Sequence, residues 1–125
     1  MSSVRRINVV FIYVADPGGV RPFYEDLLGF GAPSVDVGDW IEYALPGGCA
    51  FALHRTIPEA LEGTIPQRNT MRCSFEVEGL DELCARLREA GVEFIRMPET
   101  GYGFRLAEVL DPEGNPIRLI ERVKA

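Results

Sequence analysis

The sequence predicts an α+β domain built from two copies of a strand–helix–strand–strand–strand module. Three observations carry this reading. Short apolar, β-branched runs separated by Gly, Pro and Asp fill most of the chain. One helical pattern follows the first strand of each half. The halves also match locally: Val14-Ala15-Asp16 recurs as Val77-Glu78-Gly79, and Leu45-Pro46-Gly47-Gly48 with Phe51-Ala52-Leu53 recurs as Leu110-Asp111-Pro112-Glu113-Gly114 with Ile117-Arg118-Leu119. Recurrence of whole elements at one spacing marks a duplicated structural unit.

Ile7–Val14 (INVVFIYV) is apolar, β-branched and aromatic, as a buried strand requires. Asp16-Pro17-Gly18-Gly19 breaks it. A helix follows over about Val20–Leu28, with Phe23, Leu27 and Phe30 at helical spacing and Gly29 as its stop. Ser34–Val37, Trp40–Leu45 and Cys49–His54 read as strands joined by Gly38-Asp39 and by Pro46-Gly47-Gly48. Arg55–Asn69 changes texture, with two Pro, one Gly and few large apolar groups. It reads as a linker holding at most one helical turn, at Pro58–Leu61.

The pattern then restarts. Met71–Val77 alternates, with Cys73, Phe75 and Val77 on one side. Leu80, Leu83, Leu87 and Ala90 recur at helical spacing, and Gly91 ends the helix. Val92–Ile95, Arg105–Leu110 and Pro116–Arg122 are the remaining strands, the last entered through the turn Asp111-Pro112-Glu113-Gly114-Asn115. The 125 residues therefore form one domain, with module one at about 5–54, a linker at about 55–69 and module two at about 70–123.

Composition excludes several classes. Hydrophobic residues make up 46% and charged residues 26%, which is ordinary for a globular chain. The net charge is −6, without a basic run or basic helix face. Nucleic acid and anionic membrane are poor partners for such a surface. No apolar run approaches the ~18 residues that span a bilayer. The basic pair in MSSVRR is not followed by a small-residue cleavage site. Cys49, Cys73 and Cys84 all lie in apolar stretches, so they read as reduced core thiols of a cytoplasmic protein.

The segment from Val14 to Phe30, V-A-D-(six residues)-F-Y-E-D-L-L-G-F, resembles the first-module signature of the vicinal-oxygen-chelate superfamily. Its members include glyoxalase I, extradiol dioxygenases, fosfomycin-resistance enzymes and bleomycin-resistance proteins. Asp111–Glu121 (DPEGNPIRLIE) resembles the superfamily's last turn and strand, and Ala90–Phe94 (AGVEF) resembles the end of the second helix. The resemblance covers nearly the whole chain. It implies two curved mixed sheets around a shared cleft, and commonly a homodimer. In metal-dependent relatives, His, Glu or Gln from the first and last strand of each module hold a divalent ion with positions open for substrate oxygens.

The resemblance registers those ligand positions on Val9, Ala52, Arg72 and Arg118. Two are apolar and two are cationic, so none can ligate a metal. The chain has one His, His54, which rules out a His-rich site. The expectation is no metal and no cofactor.

Alternation then gives the cleft lining. Val9, Phe11 and Tyr13 come from the first strand, and Ala50, Ala52 and His54 from the fourth. Arg72, Ser74 and Glu76 come from the fifth, and Arg118 and Ile120 from the last. Trp40 joins them if Trp40 and Glu42, rather than Ile41 and Tyr43, face the cleft. The sequence leaves that choice open.

Each candidate has a structural alternative. Phe11, Tyr13 and Trp40 form an aromatic wall or are core. His54 is a general base or ligand hydrogen-bond partner, or a histidine at a strand rim. Glu76 is a second catalytic candidate, or a partner for a buried arginine. Arg72 and Arg118 clamp a carboxylate or phosphate, or pair with Glu76 or another cleft acid. The cysteines have no base partner near in sequence, which argues against a catalytic thiol.

The function expected is metal-free binding of a small organic ligand, anionic or aromatic, in the manner of bleomycin-resistance proteins. Arg72 and Arg118 argue against a cationic drug. The alternatives are a glyoxalase- or dioxygenase-type enzyme using His54 or Glu76, and a module that uses the fold for dimerisation alone.

Overall fold

The structure, a computed structural model, describes residues 6–55, 73–101 and 103–123. Arg72, the Pro58–Leu61 turn and all of the expected linker after Arg55 lie outside these residues. The chain divides into two compact units, 1–66 and 67–125. The fold is α+β, with a four-stranded mixed sheet in each unit. Among the described residues, no helix is long and apolar enough to cross a membrane.

The first unit contains β1 (Val10–Val14), α1 (Pro17–Pro22), a π-helical turn (Phe23–Leu27), β2 (Val35–Asp36), β3 (Trp40–Ala44) and β4 (Ala50–Arg55). The order across the sheet is β1-β4-β3-β2. Only the β1–β4 pair is parallel. The helix begins three residues earlier than the spacing predicts. Pro17 takes its first turn, where the missing N–H costs nothing. At Pro22 the α-pattern ends, since proline cannot donate to the preceding turn. The chain widens instead, and the Leu28 N–H donates to the Phe23 carbonyl. Gly29, at φ 78°, then takes the left-handed conformation that stops it.

Beneath this sheet lies an aromatic core. Tyr24 packs against Phe23, Phe30 and Phe51 with ring centroids 4.9, 5.7 and 5.3 Å apart. Val14, Val20, Ile41, Tyr43, Phe51 and Leu53 are buried with it. Val10 is exposed at the start of the edge strand.

One polar network enters this core. Tyr43 donates to Glu25 at 2.7 Å, and Arg21 pairs with both Glu25 and Asp36. Burial pushes the Glu25 carboxyl up, but hydrogen bonds from Arg21 and Tyr43 outweigh it and hold Glu25 below its ordinary range. Burial and the bond to Glu25 push the Tyr43 phenol well above its ordinary value.

These shifts contribute at both ends of the pH–stability curve. Glu25 is depressed on folding, so its contribution is present above the unfolded value of about 4.3 and lost as pH falls. Tyr43 is raised, so its contribution is complete below about 10 and lost as pH rises further. In urea titrations across pH, Tyr43→Phe should lose about 1–2 kcal/mol near neutrality and flatten the alkaline limb. An unchanged alkaline slope in that variant would remove Tyr43 from the account.

The second unit repeats the plan with β5 (Cys73–Glu76), α2 (Leu80–Glu89), β6 (Phe94–Thr100), β7 (Phe104–Leu110) and β8 (Pro116–Arg122). The sheet order is β5-β8-β7-β6, and β5–β8 is the parallel pair. Leu80, Leu83, Cys84 and Leu87 form the buried stripe of α2. Burial raises the Cys84 and Cys73 thiols. Cys49 does not fit the expectation of three core thiols: it is exposed beside the Gly47-Gly48 turn.

Strand β6 runs five residues past its predicted end. It contains Pro98 and irregular register, both tolerated because it is the sheet's edge. Two acids hold the ends of elements here. The Glu121 carboxylate on β8 accepts from the Gly79 and Leu80 N–H groups at 2.7 and 3.2 Å, satisfying the start of α2. Asp111 accepts from the Glu113 and Asn115 N–H groups at 2.9 and 2.8 Å and from Asn115 Nδ2 at 2.9 Å. The turn into β8 is therefore built on a carboxylate.

An aromatic sheet face as the candidate functional site

Pairing across the first sheet shows which residues share a face with Trp40. Tyr13 lies opposite His54, and His54 opposite Trp40. One row away, Phe11 lies opposite Ala52, and Ala52 opposite Glu42. Directly paired residues share a face. Phe11, Tyr13, Trp40, Glu42, Ala52 and His54 therefore stand on one face, while Ile41 and Tyr43 are buried on the other.

Four rings converge there. Phe11 lies 5.6 Å from Tyr13, 5.3 Å from Trp40 and 5.8 Å from His54. His54 lies 5.3 Å from Tyr13 and 5.5 Å from Trp40. Trp40 Nε1 donates to Glu42 at 3.0 Å, which fixes the indole on this face. Ala52 is fully buried among them, and its methyl group leaves the rings room to meet. Phe11 and Tyr13 remain 41% and 52% exposed. That is unusual for side chains that normally dominate cores. His54 Nδ1 is buried without a hydrogen-bond partner among the described residues.

The matching face of the second sheet is polar. Ser74 lies opposite Arg118, and Arg118 opposite Glu108. Arg118 donates to Glu108 at 2.9 Å. Glu76 pairs instead with Arg122 at 3.0 Å. Of the acids offered for Arg118, Glu76 or another on the same face, it is the second kind, Glu108, that Arg118 meets. Alternation along β7 places Glu108 on this face, a signal available in the sequence. Glu42 is the other residue that sequence reasoning did not assign, because its face depended on register. Where Arg72 sits relative to these groups is outside the described residues.

The registered metal positions do not suit a metal. Val9 and Ala52 carry no donor atom in their side chains, and Arg118 is a cation already engaged by Glu108. Among the described residues, no group of three or more His, Cys, Asp or Glu side chains is placed to hold an ion. What this face offers is a cluster of rings meeting edge-on or at a tilt, one imidazole among them, and one carboxylate tied to the indole.

Comparison with known proteins agrees with this architecture. The chain resembles a glyoxalase family protein from Bacillus cereus, with a TM-score of 0.76 at 21% identity over 98% of this chain and 97% of that one. It resembles TnmS3, an antibiotic binding protein from Streptomyces sp. CB03234, with a TM-score of 0.72 at 25% identity over 98% and 100%. A protein of unknown function from Agrobacterium tumefaciens gives 0.73 at 26% identity over 98% of each chain. No curated protein matches the sequence. The family model spans residues 6–119. With nearly the full length matched and the duplicated four-stranded sheets in place, the chain belongs to the Glyoxalase/Bleomycin resistance protein/Dioxygenase superfamily.

Proposed function

We propose that this protein binds a small, planar organic ligand against the aromatic face of its first sheet, without a metal ion. The observation that carries the reading is the convergence of Phe11, Tyr13, Trp40 and His54 on a face where two of the rings stay exposed. Exposed aromatic clusters are costly in water unless something covers them. The antibiotic binding protein among the similar structures supports a small-molecule role. The donor-free side chains of Val9 and Ala52 support independence from metal.

On the second sheet, the engagement of Arg118 by Glu108 reduces its capacity to clamp an anion. The homodimer and cytoplasmic setting expected from the sequence belong to the same proposal, and light scattering on the purified chain reads the former.

Trp40 is the sole tryptophan, so the chain gives a single indole N–H resonance. Titrating chelator-treated protein with fluorene-2-carboxylate should move that resonance saturably. Added zinc or manganese should leave the curve unchanged. Phe11→Ala should weaken binding about tenfold, as loss of one stacking partner does. No movement of the indole signal, or movement only with metal present, would overturn the proposal.

A further inference from the structure

The two nitrogens of His54 are not equivalent. Nδ1 is shut away from solvent and has no hydrogen-bond partner among the described residues, while the residue as a whole keeps some exposure. Neutral imidazole side chains already favour hydrogen on Nε2. Placing it on Nδ1 here would bury an unpaired donor, which is rarer in proteins than an unpaired acceptor. The lone pair then stays sheltered beneath the rings, and Nε2 carries the hydrogen at the accessible edge. The other ring N–H on this face, that of Trp40, is committed to Glu42. The Tyr13 phenol is a rotating O–H that can turn to donate or accept, rather than a fixed donor. Ala52 and Phe11 have no polar side-chain atoms.

We infer that His54 presents a fixed Nε2–H donor to the ligand, and so selects planar aromatic compounds bearing an acceptor oxygen, of the aryl ketone class. The inference rests on the ligand-binding reading of this face and deepens it. It also reassigns His54. A general base needs its lone pair towards the substrate, and here the lone pair points into the protein. His54 is a specificity-determining residue instead.

Two compounds that share a carboxylate and differ only at C9, a carbonyl against a methylene, test this: 9-oxofluorene-2-carboxylate and fluorene-2-carboxylate, compared by calorimetry. The wild-type protein should prefer the ketone by about tenfold, the value of one well-made hydrogen bond. His54→Phe should lose the preference and bind the two compounds alike, whatever its overall affinity. His54→Gln, whose amide nitrogen overlays Nε2, should restore part of it. His54→Asn, whose nitrogen overlays Nδ1, should not.

Because His54 is the sole histidine, the nitrogen correlation spectrum of the tag-free protein in mildly alkaline buffer reports its tautomer without assignment. An Nδ1–H pattern overturns the inference, as does equal affinity for the two compounds. In either case the binding proposal stands if both compounds bind. If neither binds, that proposal fails first.

Discussion

Tyr24→Ala is expected to cost about 3–5 kcal/mol of folding stability, the range for emptying a large aromatic site in a core. Tyr24 is fully buried, and three other rings surround it. The site cannot collapse readily. Its neighbours are themselves large, and Phe30 and Phe51 also pack on each other at 5.9 Å. The midpoint of thermal unfolding should fall by roughly 10 °C or more. Tyr13→Ala is the matched control, because the same residue type on the opposite, exposed face should cost under ~1 kcal/mol. A loss for Tyr13→Ala as large as that expected for Tyr24→Ala would mean that Tyr13 is packed in a core and its face has been misassigned.

Asp111→Ala should rank second, with a loss of about 2–4 kcal/mol in urea unfolding. The carboxylate is only 4% exposed and accepts from two backbone N–H groups and one side-chain amide. Removing it strands those donors at the entrance to β8. Gly114, at φ 84°, shapes the turn but supplies no replacement acceptor for them. Asp111→Asn keeps one oxygen for the backbone donors and sacrifices the charge. It should therefore fall between wild type and alanine. An alanine variant within ~0.5 kcal/mol of wild type would show that the turn does not depend on this acid.

Much of the fold was legible because strand and helix periodicities are local. Pro116–Arg122 was bounded correctly, flanked by a turn rich in Asp, Pro, Gly and Asn. Leu80, Leu83 and Leu87 fixed the buried stripe of α2. The start of α1 was missed because Pro17 and the two glycines read as breakers, whereas a proline in the first turn suits a helix. The far end of β6 was missed because Pro98 argues against a strand everywhere but at an edge, and edge status is a property of the sheet.

The site was less legible for the same reason. Phe11, Tyr13, Trp40 and His54 were each identifiable, but their convergence depends on which residue of β3 stands opposite His54. One residue of slip would bring Ile41 to the face in place of Trp40. The Arg118–Glu108 pair likewise joins strands whose register no local pattern sets. Cys49 shows the limit of reading by neighbourhood: its sequence surroundings are partly apolar, yet the adjoining Gly47-Gly48 turn carries it outward.

The strand orders β1-β4-β3-β2 and β5-β8-β7-β6 carry a consequence for synthesis. In each unit the strand made last lies between the strand made first and the other two. While a unit emerges from the ribosome its opening strand waits without a partner, and the β-hairpin that follows is capped on one side by nothing. The first unit is complete once Arg55 has emerged. The second needs Arg122, and the Glu121 carboxylate that caps α2 arrives with that same strand. Each unit therefore closes in a single late step, and a nascent chain stopped short of Pro116 would expose two strand edges at once.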